Sequence, residues 1–172
     1  TNTPLGTVGS GTTVASGATL DLNGYTLGTA EALTLNGTGV GGTAGALANS
    51  SGTTVTYSGL LTLGSDATVN ATGSITLSNA GTITGSGSTL TLAGTATGSS
   101  MASIVGTGAG GLTKTGTGTW TLSGASTYTG ATTISAGTLK LGAAGGATNT
   151  PLGTVGSGTT VASGATLDLN GY

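Results

Sequence analysis

Cysteine, histidine and phenylalanine are missing from this sequence of 172 residues, and only 3% of its residues are charged. The absence of cysteine excludes disulfides and thiol chemistry. Lys114 and Lys140 are the only cationic residues, which is too little positive charge for a nucleic-acid surface. No run approaches the roughly 18 to 20 continuous apolar residues of a membrane-spanning helix. We therefore expect neither a nucleic-acid partner nor a membrane span in this segment.

Acidic residues are sparse as well, and they are scattered. They are Asp21, Glu31, Asp66 and Asp168. Polysaccharide cleavage on a β-helix needs paired carboxylates, or a carboxylate–metal site with a basic group nearby. The glycine pairs at 41–42 and 110–111 lack the aspartate of a calcium-binding β-roll. The run 106–111 lacks the Lys-Ser/Thr pair of a phosphate-binding loop, so we expect a corner there. The sequence predicts a non-enzyme with no catalytic, cofactor-binding or metal-binding residues.

What the sequence does have is an internal copy. Thr148–Tyr172 is identical to Thr1–Tyr25, at an offset of 147 residues. Self-similarity at a fixed offset is typical of solenoids and repeat arrays. We therefore predict one complete repeat unit over residues 1–147 and the start of the next identical unit over 148–172. A unit that is copied without change favours a spacer or building block over a catalyst.

The pattern inside the unit predicts strands. β-branched and aliphatic residues alternate with Thr, Ser, Asp or Lys in phrases such as Val14–Leu22, Val55–Leu63 and Val69–Leu77, so one side of each strand is apolar. Successive phrases lie about fourteen residues apart, as at Val55, Val69 and Ile83. A string of hairpins in a sandwich is one interpretation, but a near-constant pitch favours a β-solenoid.

Two phrases per winding would give windings of about 20 to 28 residues, within the range of known repeat lengths. One phrase per winding is the alternative that the pitch leaves open. Asn-Gly pairs and Pro4 with its copy Pro151 are predicted at turns. The residues expected to point inward and stack are Leu20, Leu22, Leu33, Leu35, Leu61, Leu63, Ile75, Leu77, Leu90, Leu92, Leu122, Leu139 and Leu141.

The stretch Gly110–Leu141 carries a denser motif, which resembles the autotransporter passenger-associated repeat. The matching positions are Lys114, Gly116, Gly118, Trp120, Leu122, Ser123, Gly124, Tyr128, Thr129, Gly130, Thr132, Ile134, Gly137, Thr138, Leu139 and Leu141. The resemblance implies a right-handed parallel β-helix in a large exported surface protein of a Gram-negative-type cell. The resemblance covers about a fifth of the chain and includes no C-terminal barrel and no inserted functional domain. It therefore implies the role of a stalk for this chain and implies no activity.

The function expected from these observations is that of a structural repeat in a long exported cell-surface stalk, adhesin or fibre. The alternative is a binding module that adheres to a surface or to ice through outward threonine rows, such as Thr113, Thr115, Thr117 and Thr119. Aromatic residues such as Trp120 are expected to pack rather than to bind sugars. The expected partners are identical repeats in the same chain, head-to-tail copies, or a host, neighbouring-cell or other surface.

Two expectations concern continuation of the array. Identical units should return the chain to an equivalent position, so one repeat unit should make a whole number of windings. Neither terminal stretch contains a charge cluster, a helical pattern or a proline-rich plug. The first and last windings should therefore expose unpaired strand edges and an apolar rim, as an uncapped segment of a tandem array.

Overall fold

The computed structural model describes residues 4–6 and 9–172 and contains short strands joined by turns. A single 3₁₀ turn at Val40–Gly42 is the helical element among these residues. In chain order the strands are β1 Thr12–Val14, β2 Leu20–Asp21, β3 Leu33–Gly37, β4 Leu47–Asn49, β5 Val55–Tyr57, β6 Leu61–Ala71, β7 Ile75–Leu77, β8 Thr82–Thr84, β9 Leu90–Gly94, β10 Ser99–Met101, β11 Ile104–Gly106, β12 Leu112–Lys114, β13 Thr119–Leu122, β14 Thr132–Ile134, β15 Thr138–Leu141, β16 Asn149–Thr150, β17 Gly153–Thr154, β18 Thr159–Val161 and β19 Thr166–Asp168.

Three faces of parallel strands form the molecule, which is a β-solenoid of about six windings. Each strand pairs with strands one winding below and above, so every backbone ladder runs along the solenoid axis. The first face contains β1, β3, the first half of β6, β8 and β11. The second face contains β2, β4, the second half of β6, β9, β12, β14 and β18. The third face contains β5, β7, β10, β13, β15 and β19.

Winding length varies with the corners. A short winding joins Trp120 to its strand partner Leu139, and a longer winding joins Leu33 to its partner Leu61. The predicted winding length of about 20 to 28 residues is confirmed, and the alternative of one phrase per winding is wrong, but two fourteen-residue phrases fill only a long winding such as that from Leu33 to Leu61. Val55, Val69 and Ile83, which are fourteen residues apart, lie on the third, second and first faces, so the pitch of the phrases does not correspond to one winding.

The alternation of the sequence explains the core. Every predicted inward residue is buried except Leu20, which is partly buried and packs against the core. Aromatic rings also lie inside the coil: the exposed fraction is 1% for Tyr57 and Trp120 and zero for Tyr128. Thr and Ser occupy the outward positions between the apolar ones, where their hydroxyls meet water and their β-branching or small size suits a strand.

Glycine is required where two windings approach closely at a corner. Gly94, Gly116 and Gly137 lie above one another between the second and third faces, each with a positive φ (109°, 68° and 67°). A Cβ atom on Gly116 would lie 2.4 Å from the Gly94 carbonyl oxygen, and one on Gly137 would lie 2.4 Å from the Gly116 carbonyl oxygen. A larger residue would force the windings apart at this corner.

Two segments lengthen their windings. Residues 38–45 leave the coil through the 3₁₀ turn, where Gly39, Gly41, Gly42 and Gly45 have positive φ. Residues 142–158 contain the antiparallel pair β16–β17, which lies over the first face through a bridge between Ser126 and Thr150. Pro151 lies in the turn of that pair, and Pro4 also lies in a turn, so both prolines are placed as predicted.

The second copy of the repeated sequence lies on different faces from the first, and the expected whole number of windings is wrong. The second face joins Leu20 to Val161 through six successive pairings, by way of Leu47, Val69, Leu92, Lys114 and Ile134. The sequence copy of Leu20 is Leu167, which lies on the third face. One repeat therefore advances six windings and one further face. A coil with three similar faces can continue from any of them, because each offers the same parallel edge.

Candidate functional site: outward threonine ladders and a buried lysine

The four acidic side chains do not come together. Asp21 and Asp168 lie on outward positions of β2 and β19, and Asp66 lies at a corner of β6, where it accepts a hydrogen bond from the Thr89 N–H at 2.7 Å. Among the described residues, no group of three or more acidic, histidine or cysteine side chains is placed to hold a metal ion.

Glu31 is the buried one of the four acidic residues, since it is only 1% exposed. One carboxylate oxygen accepts a hydrogen bond from the Thr12 hydroxyl at 2.5 Å, and the other has no partner among the described residues. The Tyr57 hydroxyl donates to the Glu31 backbone carbonyl. Burial and the nearby Glu31 charge raise the pKa of Tyr57, so this phenol stays protonated and continues to donate.

Lys114 is buried in an inward column, between Leu92 below and Ile134 above. Its ammonium group donates to the backbone carbonyls of Thr115 at 2.6 Å, Gly116 at 2.8 Å and Ala136 at 3.2 Å. No acidic side chain pairs with it among the described residues. Burial lowers the pKa of Lys114 to about 8. The lysine joins two windings at the glycine corner.

The predicted threonine row at 113–119 is not one flat row. Thr113 lies on the second face and Thr119 on the third, with the corner at Thr115–Gly118 between them. An alternating run longer than one face must bend at the glycine, so the spacing along the chain does not create a flat array.

Threonines do align across the windings. On the second face, five threonines follow one another in register, Thr68, Thr91, Thr113, Thr133 and Thr160, and the first of them, Thr68, is only 7% exposed. The first face carries a shorter ladder of Thr13, Thr34, Thr62 and Thr84. Neighbouring rungs are about 4.8 Å apart, the spacing of hydrogen-bonded strands. The sequence did not reveal these ladders, because their spacing along the chain varies with winding length.

A shallow cleft of about 520 Å³ borders the five-threonine ladder. One wall is the excursion at 38–45, and the floor includes Thr68, Asn70 and Thr91. The Asn70 amide donates to the Thr43 carbonyl at 3.0 Å and thereby fixes the wall to the floor. The lining consists of threonines, glycines, Asn70 and Ala93; it has no charged side chain, and more of it is apolar than polar.

The comparisons with known proteins bear on one part of the chain. Residues 112–141 match the protein family described as the passenger-associated-transport-repeat. The matched segment runs from β12 to the end of β15, which includes Lys114, Trp120 and the Gly116–Gly137 corner. The resemblance to an autotransporter passenger repeat is thus confirmed over these residues. No curated protein and no solved structure matches the chain. No helix among the described residues is long and apolar enough to span a membrane.

Proposed function

We propose that this chain is a rigid structural repeat of an exported autotransporter-type passenger at the surface of a Gram-negative-type bacterium, where it spans distance and performs no catalysis. The β-solenoid and the passenger-repeat match fit a structural repeat of such a passenger. The observation that supports a spacer role most directly is the uninterrupted inward column from Leu20 to Val161. Each added winding lengthens such a molecule by about 4.8 Å without changing its cross-section.

The spacer role makes a quantitative prediction. One repeat of six windings and one further face should add about 30 Å to the solenoid. A chain carrying one extra copy of residues 1–147 should therefore show a maximum dimension greater by this amount in small-angle scattering, with the same cross-sectional radius. An increase in cross-section without an increase in length would show that the repeats fold side by side, which contradicts a linear spacer.

The export role requires a separate experiment. The chain would be joined to a secretion signal at its start and to an autotransporter barrel at its end, and its exposure to an external protease measured. The expected result is surface display of the intact chain. Trp120→Asp is the matched variant, because it places a charge in the solenoid at a residue of the matched segment that is 1% exposed. A well-folded wild-type chain that remains inside the cell would contradict the export role.

Adhesion is the second candidate function, with ice as one possible surface, and the five-threonine ladder of the second face favours it. A regular row of hydroxyls and methyl groups suits a surface with a matching repeat. The neighbouring row, two positions earlier along each strand, is mixed: Asp66, Thr89, Gly111 and Ala131. Thermal hysteresis should fall on Thr113→Lys and persist in Thr84→Lys, which changes the first-face ladder. Absence of hysteresis in the wild-type chain at high concentration would exclude ice, and a glycan-binding screen would then test other surfaces.

A further inference from the structure

The three faces follow one another in a fixed order along the chain, and the hairpin β16–β17 occupies one step of that order. The third-face strand β7 is followed by β8 on the first face and by β9 on the second. The third-face strand β15 is followed by the hairpin and then by β18, which already lies on the second face. The hairpin therefore lies at the first-face position of its winding.

Hydrogen bonds attach the hairpin to the first-face segment of the winding below it. That segment, residues 126–128, lies directly above β11. The Ser126 N–H donates to the Thr150 carbonyl and the Thr154 N–H donates to the Tyr128 carbonyl, both at 3.0 Å. The bridge between Ser126 and Thr150 is antiparallel, whereas β8 and β11 pair in parallel on the same face. The hairpin thus fills the first-face position without continuing the parallel ladder.

The hairpin packs as a part of the coil. Gly153 has a φ of 94°, and a Cβ atom there would lie 2.8 Å from both the carbonyl oxygen and a ring carbon of Tyr128. The neighbouring Leu152 is partly buried and packs against the core. The excursion at 38–45 differs, since its Val40 is 58% exposed. A segment that is packed in this way excludes another strand from the same position.

We propose that the hairpin shifts the sequence that follows it by one face. Because the hairpin fills the first-face position, the strand after it is placed on the second face. Without the hairpin, Thr159–Val161 follows β15 onto the first face, and Thr166–Asp168 moves from the third face to the second. This inference goes beyond the spacer role, and neither export nor adhesion is needed for it.

The shift decides on which side of the coil copied residues are presented. Thr13 belongs to the ladder of the first face, and its copy Thr160 belongs to the ladder of the second. Asp21 lies on the second face, and its copy Asp168 lies on the third. A partner that binds the outward residues of one copy therefore meets the same residues of the other copy on the neighbouring side. Only this consequence depends on the proposed adhesion.

A deletion that removes the hairpin tests the proposal. Deletion of residues 145–157 leaves residues 142–144 and Gly158 as the connection between β15 and Thr159. This connection has the same length as Ser78–Gly81, which joins the third-face strand β7 to the first-face strand β8. The shortened chain therefore retains a corner that the molecule already uses between these two faces.

Pairs of introduced cysteines report the faces, since the chain has no cysteine of its own. In the full chain, Thr133→Cys with Thr160→Cys should form an intramolecular disulfide, because these residues are strand partners about 4.8 Å apart. Thr133→Cys with Thr166→Cys should not, because Thr166 pairs with Thr138. In the shortened chain the two results should be reversed, because Leu167 returns to the column of its sequence copy and Thr166 then lies above Thr133. Alkylation of free thiols in dilute protein measures both pairs.

The matched control shortens the other excursion. Deletion of residues 40–43 leaves five residues between β3 and β4, as many as join β1 to β2 at Ala15–Thr19. This excursion occupies no face, so the control should keep the disulfide pattern of the full chain. A chain without the hairpin that keeps the disulfide between positions 133 and 160, or that forms neither disulfide, would overturn the proposal.

Hydrogen exchange tests the position of the hairpin in the unmodified chain. The Ser126 and Thr154 N–H groups should be protected as strongly as the Leu112 N–H, which donates to the Ala131 carbonyl between the windings of the second face. Exchange of Ser126 and Thr154 without protection would show that the hairpin does not occupy the first-face position, and this result would also overturn the proposal.

Discussion

The two copies of the repeated sequence have the same local backbone over residues 12–25 and 159–172, although Gly11 has a positive φ of 64° and its copy Gly158 does not. The glycine at the corner between their strands has φ of 81° in both copies, at Gly17 and Gly164. The asparagine of the Asn-Gly turn is left-handed in both, with φ of 43° at Asn23 and 55° at Asn170. In each copy the preceding aspartate accepts a hydrogen bond from that asparagine's N–H, at 2.9 and 2.8 Å. Local conformation therefore follows from local sequence.

The surroundings of the two copies differ. Asp21 lies beside Ser50 and accepts hydrogen bonds from its N–H at 3.0 Å and its hydroxyl at 2.5 Å. Asp168 lies opposite Lys140, and their charged atoms are 3.5 Å apart. Identical residues thus contact a polar loop in one copy and a cation in the other, because the copies occupy different faces. Stability at these positions should follow the neighbours rather than the sequence.

The largest expected loss of stability distinguishes leucines that a neighbouring winding covers from leucines that no winding covers. Leu77→Asp should destabilise the fold by about 3 to 5 kcal/mol, because an unpaired charge enters an apolar column. Leu22→Asp should be next, and Leu169→Asp should change the free energy of unfolding by less than about 1 kcal/mol, because Leu169 is half exposed. Denaturant unfolding measures all three. Equal losses for Leu22→Asp and Leu169→Asp would show that the second copy is covered.

The next effect concerns the two lysines: Lys114 is buried with no acidic partner, and Lys140 is partly exposed beside Asp168. Lys114→Met should cost about 1 to 3 kcal/mol, because three carbonyls lose their donor. The lowered pKa of Lys114 means that the unfolded chain binds more protons between about pH 8 and the ordinary lysine pKa, so stability should rise with pH across that window. Lys114→Met should abolish this rise, measured from pH 7.5 to 9.5. Lys140→Met is the control and should retain it.

Glycine substitutions separate local strain from tertiary contact. Gly17→Ala and Gly164→Ala should each cost roughly 1–2 kcal/mol, the usual penalty for a side chain in the left-handed region. Both glycines have the same φ, and a Cβ on either would meet open space.

Gly24→Ala should cost more than Gly171→Ala at nearly the same φ. A Cβ on Gly24 would lie 2.5 Å from the Thr53 hydroxyl oxygen and 2.8 Å from that of Ser51, whereas one on Gly171 meets nothing. Thermal melting of all four glycine variants measures the two comparisons. Equal losses for Gly24→Ala and Gly171→Ala would contradict this account.

The smallest effect distinguishes the two aspartates. Burial opposes ionisation of Asp21, but hydrogen bonds from Ser50 and Asn23 outweigh it and hold the pKa of Asp21 below its ordinary value. Its contribution is present above the ordinary aspartate pKa and is lost as pH falls through the lowered value. Asp21→Asn and Asp168→Asn should each cost no more than about 1 kcal/mol. The stability change caused by Asp168→Asn should vanish in concentrated salt. If the change caused by Asp21→Asn also vanished in salt, long-range charge would dominate at Asp21.

Much of the fold was predictable because it depends on alternation. Leu33, Leu61 and Ile75 are inward because every second residue of their strands is apolar. The ladders and the buried charges were less predictable. Thr91 and Thr113 are neighbours only because the winding between them has the length that brings them into register. Lys114 looks like a surface residue in the sequence, and only the carbonyls of two stacked corners explain why it is buried.

By itself, the sequence determines the strands, the left-handed turns at Asn23 and Asn170 and the inward apolar column, because these depend on residues that are close in the chain. The tertiary structure alone decides which face each copy occupies, whether Asp21 or Asp168 meets a lysine, and which threonines form a ladder. The physical reason is that register depends on the summed length of every intervening winding. The excursions at 38–45 and 142–158 change that sum without altering any local pattern. Identical sequences can therefore share a backbone conformation and still differ in every neighbour.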